Sequence, residues 1–167
     1  MKQMFKILGI ILLVALVVIQ FFHPAKNIAA TPSMHHISKL YVVPANVEQI
    51  LVKACYDCHS NTTKYPLYSK IQPVDWWLDD HIKDGKKHFN FDEFTTYRVA
   101  RQYKKLEECI SEIKEGEMPI ESYTLIHKNA ILTDAEKEVL FTWCDNIRDS
   151  IKAKYPADSL VLPKRKS

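Results

Sequence analysis

The segment Cys55-Tyr56-Asp57-Cys58-His59 carries the residues best suited to chemistry in this chain. Two thiols three positions apart on a helical turn can each add to one vinyl group of a porphyrin. The next residue then lies beneath the ring, where its imidazole nitrogen reaches the iron. C-x-x-C-H is the attachment pattern of c-type haem, and it occurs once in the sequence. The pattern predicts one haem c (iron) per chain, attached covalently through Cys55 and Cys58, with His59 as an axial ligand.

Three other interpretations of these cysteines stay open. A zinc site would combine Cys55 and Cys58 with two histidines, for which His81 and His88 are available, but a second ligand pair at tight spacing is absent. A redox-active C-x-x-C of the thioredoxin type needs a strand followed by a helix, which the surrounding sequence does not indicate. A structural disulfide is disfavoured because two cysteines this close on a helix pair poorly.

Met118 is the predicted second axial ligand of the iron. It follows an apparent helix end at Gly116, and Pro119 restricts the backbone beside its thioether. The chain between His59 and Met118 is long enough for two helices to wrap the ring. The alternative role for Met118 is that of a buried residue filling a gap in the core. The alternative iron ligands are His127, His81 and His88.

The spacing of apolar residues predicts an all-α, cytochrome c-like domain around one haem, preceded by a single N-terminal transmembrane helix. Thr133 and Glu136 form a predicted capping box for a last helix, which should cross the first helix beside the haem. Asn90 or Asp92 is expected to cap the third helix. The predicted segments are a first helix over 46–59, a loop over 60–73, a second helix over 73–87 and a third helix over 91–115.

The N-terminal residues 1–23 are predicted to be a membrane-targeting segment. Every residue from Ile7 to Ile19 is apolar, and with its flanks the run is long enough to cross a bilayer. Lys2 and Lys6 precede it, so the positive-inside rule keeps that end in the cytoplasm. We expect a single-pass inner-membrane anchor with the C-terminal domain in the periplasm. The alternatives are an exported domain, after cleavage of a signal peptide near Ile28-Ala29-Ala30, and a buried core helix.

The rest of the chain divides into three predicted parts. Residues 24–41 are expected to form a polar tether, residues 42–155 the haem-binding domain and residues 156–167 a disordered tail that ends in the basic segment Pro163–Ser167. The formal charge of +3 is mild, and there is no basic stripe interleaved with aromatic residues. Nucleic acid is therefore not an expected partner.

Two further cysteines, Cys109 and Cys144, fall on predicted helices. In an oxidising compartment they can pair, but the sequence does not bring them together. Two buried free thiols are the alternative.

The chain resembles the haem-binding domain family, a group of small monohaem proteins similar to c-type cytochromes. The resemblance covers about Val42 to Ile147. It implies haem attachment at Cys55, Cys58 and His59, and electron transfer only by analogy. The matching segments are Ala54 to Asn61, Lys64 to Val74, Trp76-Trp77, Asp80-His81-Ile82, Gly85 to His88, Glu117-Met118-Pro119 and Tyr123 to His127.

An electron carrier is the expected function, and the chain is not expected to be an enzyme. With His59 and Met118 filling both axial positions, the iron would cycle between its ferrous and ferric states without binding a substrate. Redox partner proteins are then expected, and the basic end of the second helix (Lys83 to His88) is a candidate docking patch. The alternatives are a haem enzyme or a gas or redox sensor with an open sixth position, and a zinc-binding module without haem.

Overall fold

The computed structural model describes residues 1–162 and confirms the all-α prediction. Within this range there is no β-strand, and an isolated antiparallel bridge joins Ile28 to Thr62. The α-helices found over residues 1–162 are α1 (Lys2–Ile19), α2 (Ala45–Ala54), α3 (Tyr56–His59), α4 (Val74–His88), α5 (Val99–Glu115), α6 (Glu121–Ile126) and α7 (Asp134–Lys154). Short 3-10 helices lie at Ile37–Lys39, Leu67–Lys70, Phe91–Thr96, Lys128–Ala130 and Ala157–Leu160.

The core of the domain is built on α5 and α7, which pack along each other. Each helix buries residues three or four positions apart, because that spacing lines one side of an α-helix. The last helix also crosses α2, the helix before the motif, as the sequence predicted. Aromatic residues from the segment around the third 3-10 helix fill the remaining space. The buried set includes Val47, Ile50, Leu51, Phe89, Phe91, Phe94, Leu106, Ile110, Ile113, Leu140, Trp143, Ile147 and Ile151.

The predicted capping box at the start of α7 is confirmed. The Thr133 hydroxyl accepts a hydrogen bond from the Glu136 amide, and the Glu136 carboxylate accepts one from the Thr133 amide at 2.9 Å. Lys53 also donates to the Glu136 carboxylate. This ion pair fixes the end of α2 against the beginning of α7, so the helix that leads into the motif has a defined direction.

Two predicted helices are each divided in the structure. The first ends at Ala54, because Cys55 leaves helical geometry (φ −126°, ψ −45°), and the motif continues as the separate single turn α3. The third begins as a 3-10 helix at Phe91, whose cap is Asn90, and α5 starts only at Val99. Periodicity did not reveal either break, because the apolar spacing continues across both. The short helix α6 was not predicted at all.

The expected tether over 24–41 is not a free linker in the structure. Asn27 donates hydrogen bonds to the Ser60 carbonyl and the Thr63 hydroxyl, and Ser33 donates to the Asp92 carbonyl. Ile37 is fully buried in the core. Side-chain hydrogen bonds to distant parts of the chain therefore hold this segment on the domain, although its own composition is that of a linker.

The expected disordered tail over 156–167 is ordered in its first part. Ala157–Leu160 forms a 3-10 helix that packs against α5, and Leu160 contacts the core. The predicted basic end, Pro163–Ser167, lies outside the described residues.

The helix α1 has the length and composition of a membrane span. Its 18 residues have a mean hydropathy of 2.3, and none of them is buried against the rest of the chain. A core helix would be buried, so that alternative is wrong. A membrane anchor and a signal sequence both fit these properties.

Candidate functional site

The motif turn α3 presents both cysteines to the same cavity. The backbone amides of Cys58 and His59 both donate to the Cys55 carbonyl, at 3.2 and 2.9 Å, which closes the turn tightly behind Cys55. Cys55, Cys58 and His59 all line a cavity of about 360 Å³, a volume within the range of small-molecule sites. The apolar part of its wall includes Ala54, Phe89, Phe91, Ile113, Ile120 and Leu132.

Both motif thiols are held in their protonated form. Burial raises the pKa of Cys55 far above its ordinary value, and the neighbouring thiols of Cys109 and Cys58 add to the shift. Burial, followed by the charge of Asp57, raises the pKa of Cys58 to about 11. A reactive dithiol of the thioredoxin type has the opposite property, a lowered cysteine pKa. Cys55 and Cys58 are also both free in the structure, without a disulfide.

The imidazole of His59 is fixed by a hydrogen bond on one side. Its Nδ1 lies 2.8 Å from the carbonyl oxygen of Phe89, which can only accept, so Nδ1 carries the proton. Burial lowers the pKa of His59 and outweighs the opposing hydrogen bonds to the Phe89 and Gly85 carbonyls. The ring is therefore neutral with an unprotonated Nε2, which is the form that binds a metal.

Gly85 lets helix α4 approach the motif closely. A Cβ atom at this position would lie 2.9 Å from the Cys58 carbonyl oxygen and 3.2 Å from the Cys58 Cβ. Contacts this short do not occur with real side chains, so any larger residue would push α4 and α3 apart. The close approach also carries the end of α4 to Phe89, whose carbonyl oxygen orients His59.

Met118 lines the same cavity as the motif residues. Helix α5 ends at Gly116, whose φ of +80° is a left-handed conformation that glycine adopts without strain. The chain then folds back, and the amides of Glu117 and Met118 both donate to the Glu112 carbonyl, at 2.9 and 3.2 Å. The start of the methionine loop is thus fixed to the end of a long, well-packed helix.

A hydrogen bond joins the methionine loop to the motif. The Tyr123 hydroxyl, from α6, donates to the Asp57 carboxylate at 2.8 Å. The other carboxylate oxygen of Asp57 accepts from the Lys64 amide at 3.0 Å. Asp57 lies between the two motif cysteines, so it connects the turn α3 with the segments on both sides of the cavity. Burial, together with this hydrogen bond, raises the pKa of Tyr123, which keeps the hydroxyl protonated.

The three alternative histidine ligands differ in their positions. His81 lines the cavity, and its Nδ1 lies 2.8 Å from the Trp77 carbonyl. His88 also lines it, with a mostly exposed side chain beside Asp84. His127 is not part of the cavity wall. Its Nε2 bonds to the Tyr68 hydroxyl at 2.6 Å, and its ring stacks on Tyr123.

A zinc site would need several ligands around one point. Over residues 1–162, no group of three or more His, Cys, Asp and Glu side chains is placed to hold a metal ion. Haem makes a different demand, because the porphyrin supplies four nitrogens and the protein only the axial ligands. The cavity has the groups that haem binding requires. Its mostly apolar wall contains two thiols, one oriented imidazole and a thioether.

Cys109 and Cys144 face each other across α5 and α7. The two thiols shift each other's pKa, which is lowered for Cys109 and raised for Cys144, and both thiols are free. Cys109 is also part of the cavity wall, while Cys144 is fully buried behind it. Of the two expectations for this pair, the structure has two free thiols in contact.

A comparison with protein families decides the family. Residues 14–146 match the model of the haem-binding domain. The chain belongs to the haem-binding domain family. This confirms the resemblance. A search of curated proteins finds no match. A search of solved structures finds no match either.

Four residues of the haem-binding domain's cavity had no assigned role in the sequence analysis. Asp57 and Tyr123 both lie in segments that matched the family, but their contact is long-range and leaves no local pattern. Phe89 contributes its backbone carbonyl, which is common to all residues and therefore carries no sequence signal. Gly85 had one available signal, because a glycine inside a helix usually has a packing reason.

Proposed function

We propose that this haem-binding protein is a membrane-anchored monohaem c-type cytochrome that transfers electrons in the periplasm. Cys55 and Cys58 would hold one haem covalently, and His59 and Met118 would be the two axial ligands. The observation that carries the proposal is the presence of both thiols and an imidazole with a free Nε2 in the wall of one cavity. When bound, haem iron supplies reversible one-electron transfer.

Covalent attachment needs only what the motif residues provide. Each thiol would add across one vinyl double bond, so that the sulfur forms a bond to one vinyl carbon and the proton goes to the other. This addition consumes no oxidant and no reductant. The raised pKa values of Cys55 and Cys58 keep both thiols in the protonated form that this addition uses.

Met118 is favoured as the sixth ligand by its position, because it lines the cavity whereas His127 is bonded through Nε2 to Tyr68 outside the cavity wall. His81 and His88 also line the cavity and stay the alternative ligands. The thioether makes no comparable hydrogen bond, and the Met118 amide is fixed to the end of α5. Methionine ligation raises the reduction potential of the iron and fills the position that a substrate or gas would need.

Retention of the N-terminal anchor is supported by contacts that a cleaved signal peptide would lose. Asp75 of α4 is 1% exposed, and its carboxylate accepts from Lys26 at 2.6 Å and from His23 at 2.8 Å. Cleavage after Ala30 would remove both donors. The same cleavage would remove the segment that covers this carboxylate, so these contacts exist only in a chain with an intact N-terminus. The domain then lies on the periplasmic side, opposite Lys2 and Lys6.

An optical spectrum of the full chain, made with a c-type maturation system, tests the haem chemistry. We expect haem that stays attached after denaturation, and a ferric spectrum with the far-red charge-transfer band of methionine–iron ligation. Haem without that band, with a spectrum that shifts on adding carbon monoxide, would favour an enzyme or sensor with an open sixth position. A chain without haem absorbance would contradict the proposal entirely.

Cysteine variants test the attachment itself. Cys55→Ala combined with Cys58→Ala should abolish covalent haem. Cys109→Ala is the matched control, because this thiol also lines the cavity but lies outside the motif. It should retain covalent haem. Covalent haem in the double variant would exclude Cys55 and Cys58 as the attachment sites.

Membrane fractionation and mass spectrometry test whether the N-terminal segment is retained or cleaved. The chain should remain in the membrane pellet after alkaline carbonate extraction, and its intact mass should include residues 2–30. An N-terminus at Thr31 would show that α1 is a cleaved signal peptide.

A further inference from the structure

The exit of α1 is fixed rigidly to the beginning of α4. Gln20, which ends α1, accepts from the Gln72 amide at 3.0 Å and donates to the Gln72 carbonyl at 3.2 Å. The Gln72 side chain and the Trp76 indole both donate to the Phe22 carbonyl, at 2.6 and 2.9 Å. Four hydrogen bonds thus join the last turn of the apolar helix to one edge of the domain.

Large apolar side chains are exposed on that same edge. Leu67 and Ile71, in the 3-10 helix and at its end, are 81% and 57% exposed, and Ile71 directly precedes Gln72. Trp76 is partly exposed beside them, and Phe21 and Phe22 are exposed at the exit of α1. We define the exit face as Phe21, Phe22, Leu67, Ile71 and Trp76.

We propose that the exit face lies in the interfacial layer of the membrane, so that the domain rests on the bilayer instead of extending away from it. The partner is the surface of the lipid bilayer that carries α1, and the proposal rests on the proposed anchoring. Its main support is continuity, because the hydrogen bonds from Gln72 and Trp76 place the face at the point where α1 leaves the hydrocarbon.

The chemistry of the exit face matches a lipid interface. Tryptophan and other aromatic residues concentrate at that depth, where an apolar ring and a polar group are both accommodated. Lys70 is exposed between Leu67 and Ile71 and adds a positive charge toward anionic headgroups. The buried acid at this edge, Asp75, forms an ion pair with Lys26, so its negative charge does not repel anionic headgroups.

The test uses the full-length chain in vesicles of phosphatidylethanolamine and phosphatidylglycerol. A small fraction of the lipid carries a photoactivatable diazirine near the headgroup end of an acyl chain. After illumination, cross-linked peptides are identified by mass spectrometry. We expect residues 66–77 to be labelled several-fold more than residues 37–43.

Residues 37–43 supply the matched control. Leu40 and Val42 are 54% and 85% exposed, so they are as apolar and accessible as the pair on the exit face. They contact a different part of the domain, because the Val42 carbonyl accepts a hydrogen bond from Trp143 of α7. Leu67→Ser with Ile71→Ser should lower labelling of 66–77 several-fold, whereas Leu40→Ser with Val42→Ser should leave it unchanged.

The outcomes separate this proposal from the proposed function. A chain that resists carbonate extraction but is labelled at 66–77 no more than at 37–43 overturns the docking and leaves the anchor in place. A chain that carbonate releases overturns both. Labelling of 66–77 in a chain that carries no covalent haem supports the docking and overturns the cytochrome.

Discussion

The hydroxyl of Tyr123 lies 2.8 Å from a carboxylate oxygen of Asp57, the residue between the two motif cysteines. This bond connects α6, which follows the Met118 loop, to the turn that would hold the haem. Met118 and His59 must keep a fixed separation if both are to bind one iron. The Tyr123–Asp57 bond is the direct side-chain link between their two segments.

Tyr123→Phe should therefore loosen methionine ligation while leaving haem attached. A hydrogen bond to a charged group contributes about 1.5–3 kcal/mol, and we expect a loss of that order in the free energy of unfolding. The far-red ferric band should disappear at a lower temperature than in the wild type. Tyr155→Phe is the control, because this hydroxyl makes no side-chain hydrogen bond within residues 1–162, and it should change stability by less than about 0.5 kcal/mol. Equal effects of the two substitutions would contradict the link.

Met118→Ala should retain covalent haem but lose the far-red band and lower the reduction potential, because methionine ligation raises that potential. Ferric spectra and a redox titration measure both effects. His81→Ala, in the same cavity wall, should keep the band. Persistence of the band in Met118→Ala would assign the sixth ligand to another residue.

Gly85→Ala should separate α4 from the motif turn. The added Cβ would meet the Cys58 carbonyl oxygen at 2.9 Å, and overpacking of this kind costs about 1–3 kcal/mol. Because α4 carries Phe89, the hydrogen bond from His59 to the Phe89 carbonyl should weaken. The yield of attached haem should therefore fall as well. Gly9→Ala has no atom within 4 Å of the new Cβ and should leave both quantities unchanged. Urea unfolding in detergent and a covalent haem stain provide the two measurements.

Asp75→Asn should weaken the junction between the N-terminal segment and α4 in a pH-dependent way. Burial opposes ionisation of Asp75, but the hydrogen bonds from Lys26 and His23 outweigh it, so its pKa lies below the ordinary value. A lowered carboxyl pKa stabilises the fold above the ordinary pKa of about 3.9, and the contribution is lost as the pH falls through the folded-state pKa.

The expected difference in unfolding free energy between wild type and Asp75→Asn is about 1–3 kcal/mol at neutral pH. It should shrink below about pH 4. Asp79→Asn is the control, because its partner Lys83 is exposed and such pairs contribute at most about 1 kcal/mol. A difference for Asp75→Asn that stays constant into strong acid would mean that the carboxylate charge does not contribute.

The features predicted from sequence are those that depend on neighbouring residues. The capping box of Thr133 and Glu136 and the helix end at Gly116 are decided within four residues, and both were predicted. The helix break at Cys55 was not, because tertiary packing of α3 against α4 decides it.

Residues 24–41 are a second case in which long-range contacts, and not neighbouring residues, decide the structure. Their composition is that of a linker, and contacts with residues elsewhere in the chain, such as those of Lys26, Asn27 and Ser33, fix them to the domain. The hydrogen-bond partner of His59 could not be predicted from the sequence either, because it is the backbone carbonyl of Phe89. Of the cavity, the sequence could therefore predict the thiols, the imidazole and the thioether, but not the groups that orient them.

Helix α4 begins beside the exit of α1 and ends at the residue whose carbonyl orients His59. Its 15 residues span about 22 Å at 1.5 Å per residue. In an anchored chain that binds haem as proposed, the length of this one helix therefore sets the approximate distance between the exit of α1 and the iron. A protein that exchanges electrons with this centre has to present its own redox group close to the membrane.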